Sequence, residues 1–153
     1  MNIQFSKVKL DKKPILRNLL SEYLIEMNLN DDYPYFDNYW IEKNRTPLII
    51  QSNNRIIGFV LINDFILNHD FQADKSIAEF YIKPDFRRKG IGRKVAFQLF
   101  KTYQGKWEIR QQLDNQTAQL FWLQVISEFT DGNFTDGTIE NKNYKTRIQI
   151  FKS

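Results

Sequence analysis

The sequence has no cysteine among its 153 residues and only one histidine. Without cysteine the chain forms no disulfide and no cysteine-ligated metal site, and a cysteinyl acyl-enzyme is excluded. The histidine, His69, precedes Asp70 in a polar segment, a pattern more typical of a surface loop than of a base or a metal ligand. The longest apolar run, residues 56–62, is far shorter than the ~20 residues of a membrane span. With no apolar signal core in the first residues, we expect a soluble, cytoplasmic protein without a metal.

Positive charge is in modest excess and is concentrated in one segment. The chain carries 22 Lys and Arg against 18 Asp and Glu, a net charge of +4. The densest cluster of cations lies in residues 87–94. A local cluster favours a small anionic ligand over an extended nucleic-acid surface. Nucleic acid is therefore an unlikely partner, and a basic nucleic-acid-binding module is the most distant alternative.

The hydrophobic pattern predicts an α/β (α+β) fold in one domain, residues 1–153. The predicted order is strand, two helices, three strands, helix, strand, helix and two strands. The first helix is expected to have its apolar face in residues 15–27, the second helix is expected at 36–43, and the last two strands are expected at 130–139 and 143–151. A mixed, mostly antiparallel sheet of about seven strands with helices on both faces accommodates this order. Gly58, inside the third strand, indicates a bulge or a close backbone approach.

Residues 78–100 predict a strand, a basic glycine loop and a helix. Pro84 closes the strand because proline cannot donate to a sheet ladder. The glycines of the loop let a ligand approach the backbone, and the first N–H groups of the following helix have no partners within it. Such a junction is suited to phosphate or pyrophosphate. The alternative is an ordinary helix start with a solvated basic face.

The loop does not match two common phosphate motifs. A dinucleotide fingerprint needs a third glycine where Val95 stands, and no Walker loop is present. The run Arg87-Arg88-Lys89-Gly90-Ile91-Gly92, preceded by Ile82-Lys83-Pro84, instead resembles the acetyl-CoA-binding motif of the GNAT family of N-acetyltransferases. Residues 115–122, Asn-Gln-Thr-Ala-Gln-Leu-Phe-Trp, resemble the family's Asn-x-x-Ala-x-x-Phe-aromatic element. The resemblance covers roughly residues 48–126.

The resemblance implies the acyl-CoA N-acyltransferase (GNAT) fold and acetyl-CoA as cofactor. In that family the loop amides hold the pyrophosphate, and the pantetheine arm lies between two splayed strands, here residues 78–83 and 106–111. The asparagine of the second motif commonly contacts the cofactor, although Asn115 also suits a helix N-cap. The cofactor-binding residues implied by the resemblance are Phe80, Ile82, Arg87, Arg88, Lys89, Gly90, Ile91, Gly92, Arg93, Asn115, Ala118, Phe121 and Trp122.

The implied reaction is direct acetyl transfer to a primary amine of a small molecule or peptide in a ternary complex. Glu79 is the candidate base, because a carboxylate in an apolar strand is costly unless it is solvated or used. The catalytic interpretation includes a proton relay by water from Glu79 or Glu108, and its alternative is a strand-end carboxylate paired with a lysine or arginine. Trp122 stands where many relatives have an acidic tyrosine, and indole donates hydrogen bonds only. Tyr81 is therefore the second catalytic candidate, in place of that tyrosine, and the alternative is that the thiolate leaves without assistance.

An aromatic segment is the candidate acceptor site. Tyrosine and tryptophan combine apolar area with a polar group, and in the resembled family this region shapes acceptor specificity. The alternative is a helix that packs on the sheet. A noncatalytic acyl-CoA sensor of the same fold is the alternative function, and the protein is expected to be a monomer or homodimer. The predicted acceptor residues are Tyr33, Tyr35, Phe36, Tyr39 and Trp40.

Overall fold

The computed structural model describes residues 2–143 and 145–153. Within these residues, no helix is long and apolar enough to cross a membrane. Short 3-10 turns lie at Leu10–Lys12, Asp37–Trp40 and Pro84–Phe86. The regular elements are β1 (Ile3–Lys7), α1 (Lys13–Glu26), β2 (Arg45–Ser52), β3 (Arg55–Asn63), β4 (Lys75–Ile82), α2 (Ile91–Thr102), β5 (Lys106–Gln112), α3 (Gln116–Thr130), β6 (Thr135–Glu140) and β7 (Lys145–Lys152).

The strands form one seven-stranded sheet in the order β1-β2-β3-β4-β5-β7-β6. The β1–β2, β2–β3, β5–β7 and β6–β7 pairs are antiparallel, whereas β4 and β5 are parallel. A parallel pair needs a crossover, and α2 lies in the connection between β4 and β5. The predicted mixed, mostly antiparallel sheet of about seven strands is confirmed.

Two predicted elements differ from the structure. The helix expected at residues 36–43 is a 3-10 turn, Asp37–Trp40. Phe36 and Tyr39 are both buried, and side chains three apart fall on one side of a helix with three residues per turn. The strand expected from residue 130 begins at Thr135, because α3 continues to Thr130 and ends at Asp131 in a left-handed conformation.

The chain divides into two compact units. The first unit contains the residues up to Asn63 together with Ala78–Gly92, and the second contains Asp64–Ile77 together with Arg93–Ser153. The core of the first unit packs the apolar face of α1 with side chains of β2, β3 and β4. The core of the second unit is aromatic, with the Phe100 ring 5.2 Å from Trp107 and 4.9 Å from Phe151 between centroids.

Gly58 sets the position of β4 in the first unit. The β2–β3 register shifts between Ile50 and Gln51, opposite this glycine. A Cβ atom at position 58 would lie 2.0 Å from the carbonyl oxygen of Tyr81, so no other residue fits without moving the backbone. The amide of Lys83 also donates to the carbonyl of Ile57 at 2.8 Å. Both predicted roles of Gly58, the bulge and the close approach, are confirmed.

Candidate active site

The basic loop after β4 forms an open backbone cradle in the first unit. Arg88 and Gly90 both have positive φ, 62° and 72°, and α2 begins at the next residue, Ile91. Left-handed residues beside extended or helical ones turn successive N–H groups toward one side, which favours an anion. Gly90 is exposed, and a Cβ atom built on it has no heavy atom within 4 Å. The space beside Gly90 is therefore open to a ligand.

The arginines and lysine of this loop differ in how they are engaged. Arg88 and Lys89 are exposed, and within the described residues neither takes part in an ion pair. Arg87, by contrast, donates to both carboxylate oxygens of Glu26 at 2.5 and 2.9 Å and to the carbonyl of Ile82 at 2.7 Å. An anionic ligand would therefore compete with Glu26 for Arg87, whereas the side chains of Arg88 and Lys89 are available to bind an anion.

The predicted cofactor residues of the second unit also have structural partners. Arg93 donates to Glu128 at 2.5 Å and lies 4.3 Å from the Phe97 ring centroid. The Asn115 side chain accepts from the amide of Ala118 at 3.1 Å and caps α3, as its alternative role predicted. The capping oxygen of Asn115 is therefore already engaged in this structure.

Trp122 and Phe121, the aromatic residues of the second motif, lie together on α3. Trp122 is 7% exposed, and its ring is 4.9 Å from Phe121 and 6.3 Å from Phe100 between centroids. These contacts indicate that Trp122 contributes to the aromatic core of the second unit. Phe121 is half-buried at the edge of this cluster.

Glu79 lies in β4 of the first unit and accepts a hydrogen bond from a tyrosine hydroxyl group. The hydroxyl of Tyr23, from α1, donates to Glu79 Oε2 at 2.7 Å. Burial raises the pKa of Glu79 to about 7, and hydrogen bonding to Tyr23 and Tyr33 partly opposes this effect. Within the described residues Glu79 has no lysine or arginine partner, so the ion-pair alternative does not describe its surroundings. A half-buried carboxyl group titrating near neutrality is suited to proton transfer.

The tyrosines beside Glu79 remain protonated at neutral pH. Burial, followed by the negative charge of Glu79, raises the pKa values of Tyr23 and Tyr33 far above the usual value. Neither phenol is therefore ionised at physiological pH, and each keeps a proton to donate. Tyr23 and Tyr33 therefore stabilise the Glu79 carboxylate without forming an ion pair with it.

Tyr81 projects from the same face of β4 as Glu79, two residues along the strand. Its side chain is buried at 4% exposure, and its hydroxyl donates to Glu22 at 3.4 Å. Burial, together with the charges of Glu22 and Glu26, raises the pKa of Tyr81 to about 12. Tyr81 is therefore a protonated donor at neutral pH, which is what the role predicted for it requires.

The predicted acceptor residues divide into packed and accessible side chains. Phe36 and Tyr39 are buried in the core of the first unit, and Trp40 Nε1 donates to the carbonyl of Val8 at 2.8 Å. Tyr35 is 57% exposed, and Tyr33 is half-buried near Glu79. The alternative role, packing, thus describes Phe36, Tyr39 and Trp40 well, and Tyr33 and Tyr35 are the accessible candidates.

Glu108, the second member of the predicted water relay, is a structural anchor in the second unit. It has 0% exposure and accepts from the amides of Leu67 and Asn68 at 2.9 and 2.7 Å. Arg110 Nη1 donates to it at 2.5 Å. These donors tie the segment after β3 to β5, whereas the neighbouring His69 is exposed. In the described residues no group of three His, Cys, Asp or Glu side chains is placed to hold a metal.

Sequence reasoning missed Tyr23 and the two glutamates beside Tyr81 and Arg87. Tyr23 lies on the apolar face of the predicted first helix, which by itself indicates only a core residue. No spacing rule connects positions 23 and 79, because they meet only when α1 packs on the sheet. The closely spaced Glu22 and Glu26 on one face of α1 were the only available signal of an acidic surface.

One family model and several solved structures are similar to this chain. The family model described as acetyltransferase (GNAT) family matches residues 13–125. Among solved structures, an acetyltransferase from Thermus thermophilus is 13% identical, with a TM-score of 0.69 over 100% of this chain and 98% of that one. An acetyltransferase from Salmonella typhimurium with acetyl-CoA is 13% identical, with a TM-score of 0.63 over 99% and 94%.

A third solved structure is an aminoglycoside acetyltransferase in complex with coenzyme A and kanamycin. It is 14% identical, with a TM-score of 0.69 over 99% of this chain and 95% of that one. At these identities the likeness concerns the fold. No curated protein matches the sequence.

Proposed function

The chain belongs to the acetyltransferase (GNAT) family, whose members use acetyl-CoA, and we propose that it acetylates a primary amine of a small molecule or peptide. The observation that carries this proposal is Glu79, a half-buried carboxyl group on β4 with a pKa of about 7 and phenolic donors. A base of this strength is matched to neutral pH. It lies on the strand that leads into the open cradle at residues 87–92.

The cradle fits the pyrophosphate of acetyl-CoA. Gly90 has open space beside it, two residues of the loop are left-handed, and Arg88 and Lys89 are exposed. Gly90 and the start of α2 add N–H groups that favour an anion. We assign the pyrophosphate to this loop, with Ile91 and Gly92 contributing backbone amides. Arg87 serves chiefly to hold the loop to α1 through Glu26.

The pantetheine arm is assigned to the later residues of β4. In the second unit, the parallel pairing of β4 with β5 covers Lys75 and Ser76, the first two residues of β4. The Ile82 carbonyl accepts from Arg87, so backbone groups of Phe80 and the amide of Ile82, further along the strand, would pair with the pantetheine amides. Asn115 and the residues near it on α3 remain secondary candidates, since their known contacts are within the protein.

Glu79 would accept the proton of the amine as the amine nitrogen bonds to the acetyl carbonyl carbon. Acetyl-CoA supplies the activated acetyl group as a thioester. The carbon–sulfur bond breaks, and the leaving sulfur takes a proton, for which Tyr81 is the candidate donor because its pKa of about 12 keeps it protonated. Positioning of the two substrates supplies much of the remaining rate enhancement.

The acceptor is assigned to the accessible tyrosines of the first unit. Tyr33 lies near Glu79, and the exposed Tyr35 has its ring centroid 6.4 Å from that of Tyr33, so Tyr33 offers aromatic surface near the base and Tyr35 extends it. The Arg45 guanidinium lies 5.3 Å from the Tyr35 centroid, which leaves Tyr33 as the better candidate for an ammonium group. Aromatic faces bind ammonium groups by cation–π attraction. The presence of kanamycin beside coenzyme A in one structural neighbour agrees with an amine acceptor.

The first test is isothermal titration with acetyl-CoA. The matched variants are Lys89→Glu in the loop and Lys101→Glu at the exposed far end of α2, which change the net charge equally. We expect Lys89→Glu to weaken binding by about tenfold or more, because one phosphate-facing cation is replaced by an anion. Lys101→Glu should bind nearly as well as the wild type.

Equal loss in both variants would mean that net charge, not the cradle, controls binding. Absence of binding by the folded wild type would overturn the proposed cofactor site. If acetyl-CoA binds, thiol release in the presence of a panel of small amines and peptides identifies the acceptor class. Binding without thiol release for any amine of the panel would contradict the proposed transfer.

A further inference from the structure

We propose that Tyr23 is a positioning residue, which orients the Glu79 carboxylate so that Oε1 is the atom that receives the proton of the acceptor amine. The inference rests on the proposed function, because it assumes that Glu79 is the base. It adds a residue outside the motifs that identify the family. It also assigns different roles to the two oxygens of one carboxylate.

The Tyr23 side chain is fixed before it reaches Glu79. Its ring meets Phe59 and Tyr81 edge to face, each with 5.7 Å between centroids. The neighbouring Leu20 and Leu24 of α1 are buried at 0% and 3% exposure. Because helix and ring are both held by core packing, the hydroxyl has little freedom to leave the carboxylate.

The hydrogen bond from Tyr23 engages one of the two carboxylate oxygens of Glu79. The Tyr23 hydroxyl donates to Oε2 at 2.7 Å, a short charge-assisted hydrogen bond. An oxygen that already accepts such a bond is a weaker proton acceptor than its partner. Oε1 is therefore left to take the proton, and the rotamer of Glu79 is locked while it does so.

The other groups near this carboxylate do not replace Tyr23. Tyr33 also lowers the pKa of Glu79 by hydrogen bonding, but its effect is smaller than that of Tyr23. Tyr81, the next residue on the same face of β4, donates to Glu22. Tyr39 is engaged by Arg45, whose guanidinium is 5.5 Å from its ring centroid. Tyr23 is thus the packed donor that fixes the carboxylate.

The test is Tyr23→Phe, which removes the hydroxyl and keeps the ring. The Glu79 carboxyl is followed by carbon-13 NMR titration, with its resonance identified as the one lost in Glu79→Gln. We expect its midpoint to rise by about one to two pH units, because a hydrogen bond to a charged group is removed. The rising limb of kcat against pH should move by the same amount.

For a shift of one unit, kcat at pH 7 should fall about fivefold and recover at higher pH. A purely structural defect would instead lower kcat at every pH. The matched control is Tyr103→Phe, which removes a phenol from the second unit and should leave the Glu79 titration and the pH profile unchanged. Circular dichroism and the melting temperature establish that both variants are folded.

The outcomes separate this inference from the proposed function. An unchanged Glu79 midpoint in Tyr23→Phe, with Glu79→Gln strongly impaired, would overturn the role of Tyr23 and leave the base assignment standing. An unimpaired Glu79→Gln would overturn the base assignment, and the inference with it. Parallel shifts of the NMR midpoint and of the kcat limb would support both.

Discussion

Two glutamates, one in each compact unit, show that the donors around a carboxylate decide its role more than its burial does. Glu79 on β4 is half-buried and Glu108 on β5 is fully buried. Glu108 accepts from two backbone amides and from Arg110, so its negative charge is compensated by a guanidinium and fixed hydrogen bonds. Glu79 has neutral phenols around it and no cation among the described residues.

The difference has a physical cause. Glu108 accepts from a guanidinium and two backbone amides, so removing its carboxylate would leave buried donors without a partner. Phenolic donors stabilise the charge less, and burial raises the pKa of Glu79 to about 7. Glu79, whose negative charge is less well compensated, is therefore suited to exchange a proton. Glu108, whose negative charge is better compensated, is suited to hold a loop.

The sharpest test of this comparison is the effect of the two Glu→Gln substitutions on catalysis. Glu79→Gln should lower kcat by about 10²–10⁴-fold, the usual contribution of a general base, with the Kd of acetyl-CoA unchanged. Glu108→Gln, measured well below its melting temperature, should lower kcat only slightly. Steady-state thiol release and isothermal titration give the two quantities.

Equal losses of kcat in the two variants would break the comparison, because both carboxylates would then take part in proton transfer. A loss confined to Glu108→Gln would reverse the assignment. In either case a proton relay by water from Glu108, which the sequence allows, would gain support.

A second difference is expected in stability, and here Glu108 should dominate. Glu108→Gln removes the charge that faces Arg110 and replaces one accepting oxygen with an amide group that cannot accept. We expect a loss of about 3 kcal/mol in the free energy of unfolding, within the range for breaking one side of a buried pair. Urea denaturation at pH 7 measures it.

Amide hydrogen exchange can locate the loss of stability expected in Glu108→Gln. The amides of Leu67 and Asn68 donate to Glu108, so they should lose protection selectively in Glu108→Gln. The Gln111 side chain, which donates to Gln149 at 2.7 Å in the same unit, provides a matched control. Its replacement, Gln111→Ala, should leave the exchange of Leu67 and Asn68 unchanged. Uniform loss of protection in both variants would contradict the role of Glu108 as a local anchor.

The sequence predicted the parts of the site that depend on local spacing. The strand, glycine loop and helix of residues 78–100 are contiguous, so their order was visible, and the alternation of β4 placed Glu79 and Tyr81 on one face. Apolar periodicity likewise predicted seven strands. These features are set by neighbours within a few residues, and the structure confirms the fold that they indicated.

The remaining features depend on distant residues. Tyr23 and Glu79 meet because α1 packs on the sheet, and Glu26 engages Arg87 for the same reason. The turn at Asp37–Trp40 is 3-10 rather than α-helical, and it packs Phe36 and Tyr39 into the core of the first unit, which is built from distant residues. The role of Glu108 is set by backbone amides from a loop with no regular pattern. No periodicity encodes these contacts, so they could not be predicted from the sequence alone.

The smallest predicted effect concerns stability, because Glu79→Gln should stabilise the protein at alkaline pH. The pKa of Glu79 is raised in the folded state from 4.5 to about 7. The folded state therefore holds more protons than the unfolded state across this window. The contribution of Glu79 to the free energy of unfolding is fully present below about pH 4.5, and it is lost as the pH rises through 7.

A glutamine carries no charge and avoids this loss. At pH 8 we expect Glu79→Gln to be about 1 to 2 kcal/mol more stable than the wild type, less than the full linkage effect because solvent reaches the group and glutamine accepts more weakly from Tyr23. At pH 4 the difference should vanish. Urea denaturation at both pH values measures the sign. A destabilised Glu79→Gln at pH 8 would mean that the charge of Glu79 is as well compensated as that of Glu108, and the contrast between the two carboxylates would then be wrong.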